Sequence, residues 1–208
     1  MIRLTSRFPQ LKNFHKLAPK IHKELQPYYE EYISRISSDE MAISLELSVF
    51  LLMFCNIFKP KSILDLGSGF SSFVFRYYSA QAKPKPLVWS VDDNSQWLKK
   101  TREFLIDYDL SAKNLDIWNS FCKKKGDPFD FILHDLDGWE QRKATLEDVV
   151  SLIHPAGIII LDDLHKKPYA SYVKQVLEKH NLIHYNLKSY TQDKFGRYSM
   201  LVMRQGRK

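Results

Sequence analysis

Residues 62–71, Ser62-Ile63-Leu64-Asp65-Leu66-Gly67-Ser68-Gly69-Phe70-Ser71, decide the fold class. The apolar run Ile63, Leu64 and Leu66 reads as a buried strand that carries one acid, Asp65, into a Gly67-Ser68-Gly69 turn. Ser71 and Ser72 then open a stretch with helical spacing of apolar residues, Phe73, Val74, Tyr77 and Tyr78. In a strand, glycine turn and helix taken in that order, backbone N–H groups and the helix dipole receive an anionic group. Glycine lets such a turn bend sharply and approach a ligand closely. The acid narrows the choice of ligand. A carboxylate at the strand end repels a diphosphate, and a dinucleotide fingerprint needs a third glycine where this chain has Ser72. A ligand with an ammonium group beside a carboxylate suits Asp65 and the helix N-terminus together.

Outward from this stretch, strands and helices alternate: strand 62–66, helix 71–80, strand 87–92, helix 95–107, strands 114–118 and 129–135, helix 139–153, strand 157–162 and helix 168–180. That alternation implies a parallel sheet with helices on both faces. The end differs, with Ile183–Tyr190 and Tyr198–Arg204 forming a hairpin-like pair around Asp193–Arg197. Residues 1–58 carry no strand signal and read as two or three helices. Ser37-Ser38-Asp39-Glu40 has the pattern of a capping box before the apolar helix that Pro60 ends. Ligands of open α/β sheets bind beyond the carboxyl ends of the strands. Asp65, Asp92, Asp135 and Asp162 all fall at such ends, so the topology gathers them along one edge.

The order of these motifs resembles the class I S-adenosylmethionine-dependent methyltransferases, with the small-molecule O-methyltransferases closest in pattern. Leu87–Asp92 resembles their second strand, which ends in an acid for the ribose hydroxyls, and Asp93 competes with Asp92 for that role. Phe129–Asp137 resembles the fourth strand, and Pro155–Asp163 the Pro-Gly-Gly turn and fifth strand, with Ala156 where the first glycine usually stands. The match covers residues 60–205. It implies an α/β, Rossmann-like, doubly wound, mostly parallel seven-stranded sheet with an antiparallel last strand. On this reading residues 59–208 are the methyltransferase domain and residues 1–58 a helical extension, a lid or a homodimer surface. S-adenosylmethionine is the implied cofactor, held by Asp65, Gly67, Ser68, Gly69, Ser71, Asp92, Asp93 and Asp135. Asn119 and Ser120 stand where adenine contacts are expected.

Methyl transfer to a small-molecule hydroxyl needs positioning and a base for the departing proton. Asp135 and His165 are the catalytic candidates, with a surface-loop histidine beside Lys166 and Lys167 as the other reading of His165. His134, inside a strand, reads as a satisfied buried histidine, and Trp139, Tyr169, Arg197 and Tyr198 as possible walls of an acceptor pocket. In the metal-dependent members an acid after strand four and an Asp-Asn pair after strand five hold a divalent cation such as magnesium. Asp135, Asp162 and Asp163 stand in those places, with Asp163 where asparagine is expected. Carboxylates are the hard oxygen ligands such a cation takes.

Composition fits an ordinary globular domain, 44% hydrophobic and 26% charged over 208 residues. The net charge of +7 raises nucleic acid as a partner, and with it a nucleic-acid methyltransferase. The lysines, however, are dispersed in pairs and one run of three, Lys123–Lys125, and no Asn/Asp-Pro-Pro-aromatic signature follows strand four. A nicotinamide-dependent oxidoreductase conflicts with Asp65 and the missing third glycine; a non-catalytic nucleoside-binding module would keep the same glycine turn. Two cysteines provide no disulfide framework, the N-terminal residues lack a signal peptide's apolar core, and Leu47–Phe58 is too short to span a bilayer. Together they point to a cytoplasmic protein with no membrane partner.

Overall fold

Strand β1 (Ser62–Leu66) lies near the centre of a seven-stranded sheet. The structure is a computed structural model describing residues 3–124 and 126–205. Met1, Ile2, Lys125 and residues 206–208 lie outside the described residues, and with them part of the N-terminal stretch and one lysine of the 123–125 run. The other strands are β2 (Leu87–Asp92), β3 (Leu115–Ile117), β4 (Phe129–His134), β5 (Ile153–Leu161), β6 (Leu182–Asn186) and β7 (Met200–Arg204). Their order is β3-β2-β1-β4-β5-β7-β6, with β7 antiparallel to both neighbours and the remaining pairs parallel. The strand order reverses between β1 and β4, so a crevice opens at their carboxyl ends.

Alternate side chains of the strands enter two cores. Ile63, Phe131, Leu133, Ile158 and Ile160 pack on one face, and Leu64, Leu66, Ile132, Ile159 and Leu161 on the other. Because both faces are buried, these strands read as continuous apolar runs and not as an alternating pattern. The first face is covered by α2 (Phe14–Arg35), α3 (Leu45–Phe58), α4 (Phe70–Gln81) and α5 (Ser95–Asp107). The second is covered by α6 (Trp118–Phe121), α7 (Trp139–Leu152) and α8 (Lys167–Lys179). Short helices α1 (Leu4–Arg7) and α9 (Lys188–Thr191) complete the chain. Leu25, Tyr32, Phe50 and Phe54 belong to the same core as Phe131 and Leu201, so the N-terminal helices are packed onto the sheet.

Two local expectations are corrected. The apolar helix begins at Leu45, where Ser44 Oγ accepts the Leu47 amide at 3.0 Å; Ser37 Oγ has no partner among the described residues and does not cap it. Competition explains the shift. Asp39 is taken by Tyr29 and Lys194, and Arg197 donates to the carbonyls of Asp39, Glu40 and Ala42, which holds residues 39–42 out of a helix. Strand β5 starts at Ile153, four residues before the expected position, and pairs with Phe129 through an irregular register. At its other end α3 stops at Lys59, left-handed at φ 54°, before Pro60.

Candidate active site

The Gly67-Ser68-Gly69 turn is shaped by what presses on it. Gly67 has φ +97°, and a Cβ there would lie 2.1 Å from the Asp135 carbonyl oxygen. At Gly69 a Cβ would lie 2.8 Å from Tyr32 Oη. Parallel pairing sets Asp65 opposite Ser90 and Leu66 opposite His134, so Asp135 follows directly beside the turn. Above the turn lies a cavity of about 550 Å³, walled by Gly67, Ser68, Gly69, Ser71, Asp92, Asp93, Asp135 and Trp97. Tyr32 of α2 closes one side.

Asp92 ties this cavity together. Its Oδ2 accepts from the Ser68 amide at 2.7 Å and Ser68 Oγ at 2.9 Å, and its Oδ1 from the Asn94 amide at 2.9 Å. Burial nevertheless pushes its pKa up to about 6, against those hydrogen bonds. Trp97 Nε1 donates to the Ser68 carbonyl at 2.5 Å, which pins the tip of the turn to α5. Ser71 Oγ donates back to the Gly67 carbonyl at 3.2 Å.

Asp65 sits beneath the cavity and not in its wall. It is fully buried; Oδ2 accepts from Ser72 Oγ at 2.5 Å and Ser90 Oγ at 2.8 Å, and Oδ1 has no partner among the described residues. Burial raises its pKa, opposed by these serines and by Arg76. Arg76 is itself buried and donates to Ser90 Oγ at 2.7 Å and to the carbonyls of Ser72, Ser111 and Lys113.

A second cavity of about 270 Å³ adjoins the first and shares Met41, Ala42, Asp135, Asp137, Gly138 and Arg142 with it. Asp162, Asp163, His165, Lys166 and Arg197 line its far side. His165 Nδ1 is 3.5 Å from Asp163 Oδ1, without a hydrogen bond. His134 is buried between Thr145 Oγ1 at 2.8 Å and Tyr169 Oη at 3.3 Å; burial, with Arg142 nearby, lowers its pKa to about 3. A neutral, satisfied histidine is the result expected from its place in a strand.

The three aspartates do not have one another as neighbours across an open cation site. Arg142 lies between them, its Nη2 donating to Asp135 Oδ1 at 2.5 Å and its Nη1 2.9 Å from Asp163 Oδ2. Lys166 Nζ donates to Asp163 at 2.6 Å, and Asp162 Oδ1 accepts from Ser199 Oγ at 2.7 Å. Burial raises the pKa of Asp135 and Asp162, whereas Asp163, despite its burial, is held low by Arg142 and Lys166. No group of three or more His, Cys, Asp or Glu suited to a metal ion occurs among the described residues. With a guanidinium already between two of the three proposed ligands, this donor set does not fit a divalent cation.

Asn119 and Ser120 are absent from both cavity walls, Trp139 is exposed outside them, and Tyr169 is in the core. Of the four suggested acceptor-pocket residues only Arg197 lines the smaller cavity. Tyr32, Trp97 and Arg142 were not singled out from sequence for the site. Tyr32 lies on an amphipathic helix far away in the chain, and Arg142 has the look of a solvated residue among Glu140, Gln141 and Lys143.

Comparison with solved structures settles the architecture. An O-methyltransferase from Bacillus cereus in complex with S-adenosylhomocysteine superposes with TM-score 0.64 at 16% identity, over 88% of this chain and 89% of that one. The chain has the fold of the class I S-adenosylmethionine-dependent methyltransferases. A Podospora anserina methyltransferase with S-adenosylhomocysteine bound aligns over 92% of this chain and 95% of its own, with TM-score 0.65 at 16% identity. A precorrin-6y C5,15-methyltransferase from Geobacter metallireducens shares the fold at TM-score 0.59 and 17% identity, over 79% of this chain and 91% of that one. No family model matches the sequence, and no curated protein does. No helix among the described residues is long and apolar enough to cross a membrane.

Proposed function

We infer that the protein is an S-adenosylmethionine-dependent O-methyltransferase acting on a hydroxyl of a small molecule. The observation that carries this reading is the pair of adjoining cavities that meet at Asp135, one over the glycine turn and one toward His165. S-adenosylmethionine, when bound, supplies an electrophilic methyl group on a sulfonium. The larger cavity suits it: a turn whose glycines leave no room for a Cβ against Asp135 and Tyr32, the N-terminus of α4 for a carboxylate, and Asp92 and Asp93 for ribose hydroxyls. Asp65 lies buried below, its Oδ1 without a partner among the described residues, and offers an acceptor under the turn where an ammonium would approach.

The smaller cavity would hold the acceptor beside the methyl group that bound S-adenosylmethionine would supply, and a base at its wall would take the hydroxyl proton. His165 and Asp135 supply that base. His165 Nδ1 stands at the cavity wall without a hydrogen-bond partner among the described residues, and burial raises the pKa of Asp135, which makes its carboxylate a stronger base. The 39–42 segment, held by Arg197, walls the acceptor side. Small-molecule acceptors fit the size of this cavity, and a cytoplasmic location suits the two free cysteines.

The test is incubation with S-adenosylmethionine and a panel of phenols, vicinal diols and hydroxy acids, following S-adenosylhomocysteine by mass spectrometry. Formation of an O-methyl ether, reduced roughly 10²–10⁴-fold in kcat by His165→Ala or Asp135→Asn, is the expected result. Methyl groups found only on carbon or nitrogen would overturn the choice of oxygen.

A further inference from the structure

Arg142, in the first turn of α7, is 7% exposed and belongs to the wall shared by both cavities. Its three nitrogens are disposed around the acid cluster. Nε donates to the Leu136 carbonyl at 2.5 Å and Nη2 to Asp135 Oδ1 at 2.5 Å. Nη1 approaches Asp163 Oδ2 at 2.9 Å without the alignment of a hydrogen bond and has no other partner among the described residues. That contact is held by charge and not by direction.

We propose that Arg142 is the resident cation of this active site, standing in the place and supplying the charge that a divalent metal would supply, so that the site works without one. The inference rests on the methyltransferase reading for its functional meaning. Three buried carboxylates cannot all be ionised side by side without a compensating charge. One guanidinium bridging Asp135 and Asp163 supplies it from within the chain, and its charge is permanent because Arg does not lose its proton in proteins. Arg142 is thereby a positioning residue. It holds Asp135 at the seam of the two cavities and Asp163 beside His165. A magnesium or manganese ion would have to displace a buried, hydrogen-bonded guanidinium before reaching the same oxygens.

The decisive probe is Mn²⁺ alone, followed by the electron paramagnetic resonance signal of the free ion in metal-stripped buffer with the full chain. Wild-type protein should leave the signal of the free ion unchanged, with or without S-adenosylhomocysteine. Arg142→Met, which removes the charge and keeps apolar volume, should bind Mn²⁺ about tenfold or more tightly than wild type, as bared carboxylates do. Adding Asp135→Asn to it should abolish the gain. Arg142→Lys, which retains a cation, should behave as wild type; Arg142→Gln, which removes the charge and keeps a polar side chain, should gain Mn²⁺ binding in the same way and replaces the methionine variant if that one fails to fold. Stoichiometric Mn²⁺ uptake by wild-type protein would overturn the proposal, as would a folded Arg142→Met protein that leaves Mn²⁺ free. Calorimetry with S-adenosylhomocysteine in excess EDTA separates the two readings. Absence of binding there defeats the methyltransferase assignment, whereas binding together with Mn²⁺ uptake by wild type defeats only the role given to Arg142.

Discussion

Gly67→Ala tests how the turn is built. At φ +97° an L-residue is strained by about 1–3 kcal/mol. The added Cβ would also lie 2.1 Å from the Asp135 carbonyl oxygen and 2.5 Å from its carbon. Those are backbone atoms, which no rotamer change can move aside, so an overpacking penalty of about 1–3 kcal/mol adds to the strain. The combined loss of about 4 kcal/mol corresponds to a fall in Tm of roughly 8–16 °C in a chain of this size. Gly196→Ala is the internal control: φ is +79° there as well, but nothing lies within 4 Å of the new Cβ. Strain alone should lower its Tm by roughly 2–12 °C. Differential scanning calorimetry of both variants gives the comparison directly. If Gly67→Ala melts within about 2 °C of Gly196→Ala, the β1 turn does not press on Asp135, and the seam between the cavities is wrongly drawn.

Asp92 should make cofactor affinity depend on pH. With its pKa pushed up to about 6, the carboxyl is protonated below that value and loses acceptor capacity for ribose hydroxyls. S-adenosylhomocysteine should therefore bind more weakly as pH falls below about 6, by up to about tenfold per pH unit, and Asp92→Asn should bind weakly at every pH. Stability of the free protein runs the other way. A carboxyl whose folded pKa is raised favours the folded state at low pH, and that contribution is lost as pH rises from about 3.8 through about 6. Arg76→Met removes donors to Ser72, Ser90, Ser111 and Lys113 and should destabilise by about 3 kcal/mol in urea unfolding. Ser44→Ala should lose about 1 kcal/mol, and Ser37→Ala close to nothing, because only Ser44 caps α3.

The sheet was legible because its strands are short apolar runs, each ending in polar residues at a turn, and their parallel pairing followed from the alternation with helices; the order β3-β2-β1-β4-β5-β7-β6 came only with the structure. Gly67, Ser68, Gly69, Ser71, Asp92, Asp93 and Asp135 were singled out through the family resemblance, and all seven line one cavity. Asp65 was legible as an acid at a strand end but not as a buried one, since the serines and Arg76 that cover it come from separate elements. The start of α3 was misread because Ser37 and Ser44 both precede apolar residues, and only the tertiary contacts of Arg197 decide between them. Arg142 was invisible for the same reason. A basic residue in a charged first turn looks solvated until the fold brings Asp135 and Asp163 to it.

Calorimetric titration of the wild-type protein with S-adenosylhomocysteine, with NAD as the parallel ligand, tests the cofactor assignment most directly. Micromolar binding of S-adenosylhomocysteine, weakened strongly by Asp92→Ala and unmatched by NAD, is the expected result. Absence of S-adenosylhomocysteine binding, or tighter binding of NAD, would contradict it.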